Sequence, residues 1–567
     1  MLYKKLGQET SKSKSTFEFV FQSNFQFWLA ATVIVAILFS LSGLGISLKS
    51  AYIVQDDARQ HVFWLQRLND PELFNNDLIA NYFSSVAPGG YKFVYWLANL
   101  LGFEPFLFNK ILPLLLGVGT SIYMFLVTTS IFPVPVAGFL ASLLLNQNLW
   151  LLSDLVSGTP RAFYYVLLLG FIYYLLRQKL ILCLFLIVLQ GLFYPQVVLI
   201  TAGILSLNLV TQKQNRSFYI IGLIAAAITM AIYKLQASEF SDVITVENAK
   251  QLLEFYPGGR SAFFSDSYLD FWLVAERSGF FPLEWQYSIL CSFGLLLAIL
   301  AQFPSKFPLV KKLNSQAKIV WQMLITSIGL FGLAHLMLFR LHLPSRYTQH
   351  NWRIILALTA GITLTILFQQ LTPVIAKLAN FKQLIIIAIA LIVMLFPTIA
   401  VQSYEKRLSY VEGQAPGLYQ FLQQQPKDTV VATLSKEADF IPSFAQRTVF
   451  VSREYSIPYH WDYYQQIRQR TKDLIQAQYS LDTETLEQML QKYQIDFWLL
   501  DHDAFTIDYL SNNSWLNQFQ PEINYAITSL QQVKQPAIVS KIKQCTIFHT
   551  AQHNLLDAQC LIKNKFQ

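Results

Sequence analysis

Asp56-Asp57-Ala58-Arg59-Gln60-His61 stands eight residues beyond the end of the first long apolar run, 27–48. Two adjacent carboxylates at the mouth of a membrane helix are costly unless they face water or a cationic partner, so the pair marks a candidate site. The side of the membrane it faces decides the chemistry open to it.

The 22 residues of 27–48 match the roughly 20 that a helix needs to cross about 30 Å of hydrocarbon. Lys4, Lys5, Lys12 and Lys14 precede the run, and no convincing small-residue cleavage site follows, which predicts a retained signal anchor. Across all 567 residues, 54% are hydrophobic and 13% charged, the composition of a polytopic, mainly α membrane protein. A net charge of +8 would point a soluble protein toward nucleic acid; here the basic residues gather in a few loops, and no nucleic-acid partner is expected.

Eleven apolar segments are expected to span: 27–48, 105–131, 134–152, 162–176, 180–194, 196–210, 218–235, 286–303, 319–339, 354–371 and 384–401. With a cytoplasmic N-terminus, the cytoplasmic loops carry Arg177 and Lys179, Lys213 and Arg216, Lys306, Lys311, Lys312 and Lys318, and Lys377 and Lys382, without one acidic residue. That is the positive-inside pattern, and it puts Asp56 and Asp57 outside. The weakest step is Tyr194-Pro195-Gln196, because one broken helix there would invert everything downstream. A bacterial inner membrane is the expected location.

The chain divides into a transmembrane part, 1–403, with large outer loops at 49–104 and 236–285, and an extracytoplasmic α/β domain, 404–567. In the latter, β-like runs at 429–433, 448–451 and 495–500 alternate with helical stretches at 463–478 and 483–493. Cys183 and Cys291 lie in spans. Cys545 and Cys560 sit in the outer domain and form a candidate disulfide there. The aromatic run Tyr455-Ser456-Ile457-Pro458-Tyr459-His460-Trp461-Asp462-Tyr463-Tyr464 reads best as a seat on the membrane interface, ahead of sugar stacking or core packing.

Asp56 or Asp57 suits a general base, since a partly shielded carboxylate accepts a proton from an incoming hydroxyl. The plainer reading is an N-cap for a helix over 58–68. A second signal is the short outer loop 340–353, in which Arg340, His342, Arg346, His350 and Arg353 occur with no acid, against the positive-inside pattern. Such a loop calls for an anion, and arginine grips phosphate with a planar fork of donors. Asp154 and Arg161 bracket another short outer loop and are candidates for the same cavity. Arg59 and His61 are candidates to assist the first loop, His61 being four residues from Asp57 on one helix face. In 236–285 the turn Tyr256-Pro257-Gly258-Gly259-Arg260 is followed by Asp266, Asp270, Glu276, Arg277 and Glu284, read as solvated loop charges. No Walker loop, dinucleotide fingerprint, Ser-His-Asp signature or HExxH motif occurs.

The acidic pair directly after the first span, the N-in topology, the many spans and the outer C-terminal domain resemble the GT-C superfamily of integral-membrane glycosyltransferases. The resemblance implies transfer of a sugar from a polyprenyl-phosphate carrier to an acceptor outside the membrane, with Asp56 or Asp57 as base. It does not fix the phosphate ligands; Arg340, Arg346 and Arg353 come from the charge argument. Oligosaccharyltransferases of this superfamily carry a DxD motif in the second outer loop and use a divalent metal. Here that loop offers only Asp154, which favours a metal-independent reaction with no cofactor. A lipid or polysaccharide transporter, with Gly191-Leu192-Phe193-Tyr194-Pro195 as a broken helix, and a non-catalytic glycan-assembly protein are the competing readings.

Overall fold

A computed structural model of the chain describes residues 24–235, 240, 242–281, 289–375, 377–399 and 408–562. The N-terminal lysines, the boundary at 403/404, both ends of the expected outer loop 236–285, the start of expected span 286–303 and the end of expected span 384–401 lie outside those residues.

Helix α1 (Phe25–Ser47) opens on Asn24, whose side chain accepts from the Phe27 N–H at 2.8 Å. The helices α3 (Pro105–Ile131), α4 (Pro135–Trp150), α5 (Tyr164–Leu176), α6 (Leu180–Phe193), α7 (Gln196–Thr211), α8 (Arg216–Leu235), α9 (Lys318–Leu336), α10 (Ser345–Ile375) and α11 (Asn380–Ile399) follow. Before α3, strand β1 (Ile53–Gln55) leads into the short α2 (Asp56–Val62). Helix α4, buried from Val136 to Trp150, is the centre of the bundle and packs on α1, α3 and α10.

Among the described residues, five helices are long and apolar enough to cross a membrane: Phe25–Ser47, Pro105–Ile131, Arg216–Leu235, Ser315–Leu336 and Ser345–Ile375. Expected spans 134–152, 162–176, 180–194 and 196–210 fall in shorter helices, because Pro133, Pro135, Pro160 and Pro195 cut the apolar runs between them. Expected span 286–303 is interrupted: among the described residues, Ile289–Ser292 and Leu297–Leu300 are α-helical and Phe293–Leu296 between them is a 3₁₀ turn.

Around Pro195 the chain reverses. Asn215, beyond the far end of α7, donates to the Gln178 side chain at 3.3 Å, just before α6 begins, so α6 and α7 form a hairpin, not one broken helix. Asn314 donates to the Ser130 carbonyl at 2.7 Å and Gln316 to the Leu176 carbonyl at 3.1 Å. The turns holding Arg177, Lys213 and Lys312 therefore meet at one end of the bundle. The Asp56-Asp57 segment is at the other.

The C-terminal part contains a five-stranded sheet in the order β4-β3-β5-β7-β6 when its strands are numbered β3 (Val430–Ala432), β4 (Thr448–Val449), β5 (Phe497–Asp501), β6 (Thr546–His549) and β7 (His553–Asp557). β4, β3 and β5 are parallel, and β5, β7 and β6 antiparallel. Cys545 and Cys560 are bonded to each other. One core of this part lies among Leu474, Trp498, Leu500 and Phe519. Its other face has no core of its own: Leu418, Tyr455 and Tyr463 share a single apolar cluster with Val54, Phe63 and the bundle.

Two contacts fix the seam. β1 pairs antiparallel with β2 (Tyr410–Glu412), and the Asp56 N–H donates to the Ser409 carbonyl at 2.9 Å. Tyr82 stacks on Tyr463 at 3.6 Å. The aromatic run is thus core and wall, with Tyr455, Tyr463 and Tyr464 buried, and not the membrane seat its composition suggests.

Candidate functional site

Helix α2 starts one residue earlier than an Asp cap would require. Gln55 is the N-cap, its side chain accepting from the Ala58 N–H at 3.3 Å, so Asp56 and Asp57 occupy the first turn, where the helix dipole favours carboxylates. The helical period sends the two side chains apart. Asp56 pairs with Arg59 of its own helix, whereas Asp57 pairs with Arg161 at 2.6 Å.

Arg161 continues to Asp154, 3.2 Å from its Nε. Asp154 also accepts from Arg353 and from Tyr165 at 3.0 Å, and its Oδ2 lies 3.2 Å from His350 Nδ1. The sequence placed Arg346, His350 and Arg353 in a loop; the structure places them on one face of α10, which begins at Ser345. Arg353, a candidate phosphate ligand, and His350, a candidate substrate ligand, both engage Asp154 in this structure. Arg59 is buried between Asp56, Glu454 and Asp439. Arg340 is exposed and does not line the cavity described next.

A cavity of about 500 Å³ opens beside the acidic pair. α2 contributes Asp56, Asp57 and His61, and Arg161 stands beside them. The 242–281 segment contributes Arg260, Glu276 and Arg277, which the sequence reading had left in solvent. The only signal for them was the Gly258-Gly259 turn: Gly258 has φ +88°, and a Cβ on Gly259 would lie 2.4 Å from the Leu253 carbonyl oxygen. His342 enters from a turn in which Phe339 (φ 67°) and His342 (φ 64°) are both left-handed, a conformation non-glycine residues hold only where their surroundings enforce it, and Arg346 enters from the first turn of α10. Tyr459 and His460 close the wall from the C-terminal part.

Among the described residues, Arg346 has no carboxylate partner, and Arg277 donates only to the Tyr459 hydroxyl, at 3.4 Å. Burial raises the Asp57 carboxyl, but Arg161, His61 and Arg346 outweigh it and hold the group below the usual range. Asp56 is pushed up to about 6 by burial and by the Glu454 carboxylate, against the pull of Arg59. Burial lowers His61 and His460 to about 4 and His342 to about 3, so the cavity histidines are neutral at pH 7 and the arginines supply its positive charge. No group of three or more His, Cys, Asp or Glu side chains is arranged to hold a metal ion among the described residues.

No protein-family model matches the sequence, and no curated protein does. Solved structures do match in fold. The Archaeoglobus fulgidus oligosaccharyltransferase tethered with an acceptor peptide aligns at TM-score 0.53 and 12% identity over 88% of this chain and 72% of that one. Archaeal oligosaccharyltransferase AglB from Archaeoglobus fulgidus, in complex with an inhibitory peptide and a dolichol-phosphate, aligns at 0.54 and 13% over 88% and 72%. Arabinofuranosyltransferase AftD from Mycobacteria aligns at 0.50 and 14% over 84% of this chain, which spans 35% of AftD. The chain shares its fold with these transferases.

At these identities the likeness is one of fold alone. Of the ten residues singled out in the sequence, Asp56, Asp57, His61, Arg161 and Arg346 line the cavity; Asp154, His350 and Arg353 form the cluster behind Arg161; Arg59 faces the C-terminal sheet; Arg340 stands apart.

Proposed function

We propose that the chain is a membrane glycosyltransferase that moves a sugar from a polyprenyl-phosphate carrier to an acceptor on the outer side of the membrane. The single observation that carries this is a cavity that brings the Asp56 and Asp57 carboxylates together with two guanidinium groups, Arg277 and Arg346, that have no carboxylate partner among the described residues. A dolichol-phosphate in the GT-C neighbour AglB supports the carrier class. The basic turns at the opposite end of the bundle support a cytoplasmic N-terminus and an outward cavity and C-terminal part. The eleven-span threading and the division near 403 belong to the same reading.

In the reaction, Arg346 and Arg277 hold the carrier phosphate with charge-assisted hydrogen bonds. The acceptor hydroxyl oxygen attacks the anomeric carbon, its proton passes to Asp56, and the bond from that carbon to the phosphate oxygen breaks, its electron pair leaving on the polyprenyl phosphate. Asp56 suits the base better than Asp57. Asp57 is tied to Arg161 and lies in the field of Arg346, on the leaving-group side, while Arg59, Arg260 and Glu454 surround Asp56. A base near pH 6 combines a large ionised fraction at pH 7 with useful proton affinity.

The test is a density map of the purified protein with undecaprenyl phosphate. Phosphate within hydrogen-bonding reach of Arg346 and Arg277 is expected. Lipid phosphate elsewhere, or transport of the labelled lipid across vesicles without chemical change, overturns the reading.

A further inference from the structure

We infer that Glu454 is a positioning residue for Asp56, acting through Arg59, so that the C-terminal sheet completes the reaction site. This rests on the assignment of Asp56 as base.

Glu454 lies in the loop that follows β4. Its side chain is 4% exposed, yet it faces α2 and the 242–281 segment together: Oε2 is 2.9 Å from Arg59 Nη2, and Oε1 accepts from Gln60 and, at 3.2 Å, from Arg260. Asp439, in the loop after β3, stands 3.6 Å from Arg59 Nη1 and accepts the Glu454 N–H at 3.0 Å. Parallel strands deliver both loops to the same edge of the sheet, the edge where α/β sheets present functional groups. The Phe440 ring lies 4.8 Å from the Arg59 guanidinium and shields this cluster from water.

The charges here do not balance. Asp56, Asp439 and Glu454 are three carboxylates against the two guanidinium groups of Arg59 and Arg260. A fold needing only adhesion at this seam does as well with apolar residues, since burying ions costs at least as much as their pairing returns. The surplus negative charge acts on the most exposed carboxylate, Asp56, which opens onto the cavity and gains proton affinity from it. The groups facing Asp56 are Arg59 and Asp57 on its own helix, Glu454 from the sheet and Arg260 from the 242–281 segment.

Carbodiimide labelling reads the protonated fraction of Asp56 with no need for the substrate. The full chain is labelled from pH 4.5 to 8, and mass spectrometry gives the modified fraction of Asp56 at each pH. In the wild type that fraction falls through a midpoint near 6. Glu454→Gln is expected to move the midpoint down by about one unit, lowering the modified fraction at pH 6 about fivefold, while Glu454→Asp keeps it in place. Coincident wild-type and Glu454→Gln curves overturn the inference. If Glu454→Gln yields no folded protein, Asp439→Asn, which frees Arg59 toward Asp56, is measured instead with the same two outcomes. Undecaprenyl phosphate binding is measured in parallel: loss of it in the wild type sinks the proposed function, whereas binding with unmoved labelling curves sinks only this inference.

Discussion

Arg161 Nη2 lies 2.6 Å from Asp57 Oδ2, joining the turn after α4 to the first turn of α2 across 104 residues of sequence. With its Nε 3.2 Å from Asp154, the same guanidinium bridges two acids. A carboxylate held this way is a strut.

Arg346, without a carboxylate partner among the described residues, is the first thing to test. Arg346→Ala removes charge-assisted hydrogen bonds worth about 1.5–3 kcal/mol, so undecaprenyl phosphate affinity should fall about tenfold to a hundredfold. Arg340→Ala, outside the cavity, should leave it unchanged. Equal losses from both would mean a diffuse headgroup attraction, which titration of the lipid into detergent-solubilised protein at two salt concentrations would expose.

Asp154 carries the heaviest structural duty. Replacing it by Ala leaves Arg353 buried without its acid and Arg161 with one carboxylate, which should cost about 3–5 kcal/mol. Thermal unfolding of Asp154→Ala should therefore begin well below that of the wild type, while Glu247→Ala, on an exposed helix turn, should be neutral.

Much of this was readable in the chain and some was not, for definable reasons. Apolar length and one-sided basic loops gave the helical bundle and its hairpin at Pro195. The acidic pair and Arg346 were readable because charges at membrane ends are rare enough to need a partner. Arg353 and His350 were placed in a loop because hydropathy starts α10 at 354, whereas the helix begins at Ser345 and turns both toward Asp154. Arg260, Arg277 and Glu454 carried no local mark: each reaches the site by tertiary packing across some 200 to 400 residues, which neither periodicity nor composition records.

Acidification should act in two steps. Asp57 and Asp154 have carboxyls held below the usual range, so their contribution to stability is complete above about pH 4 and is lost as pH falls through their lower folded values. Asp56 is raised to about 6, so the folded state binds its proton first and gains stability as pH drops from 7 toward 4. The cavity histidines act the other way: with His61 and His460 lowered to about 4 and His342 to about 3, the unfolded state takes up their protons first as pH falls from about 7, and three such groups outweigh one carboxyl. Melting temperature should therefore fall on going from pH 7.5 to 5 and collapse below 4. Asp56→Asn should steepen the first fall and keep the collapse; a curve indifferent to that substitution would separate Asp56 from the upper step.

The disulfide ties stability to topology. Cys545 and Cys560 are 15 residues apart, and closing a loop of that size is worth about 3 kcal/mol in the chain-entropy account, so Cys545→Ala/Cys560→Ala should loosen the core around Leu556 and Leu561 while sparing phosphate affinity. Such a bond persists outside the cytoplasm and is reduced within it. Cys183 and Cys291 are free and buried. Protein trapped with acid straight from intact cells, denatured and treated with a maleimide polymer should accordingly take up two labels before reduction and four after. Four labels in both samples would mean reduced thiols in the cell, and the C-terminal part, with the cavity it closes, would then have to be placed on the cytoplasmic side.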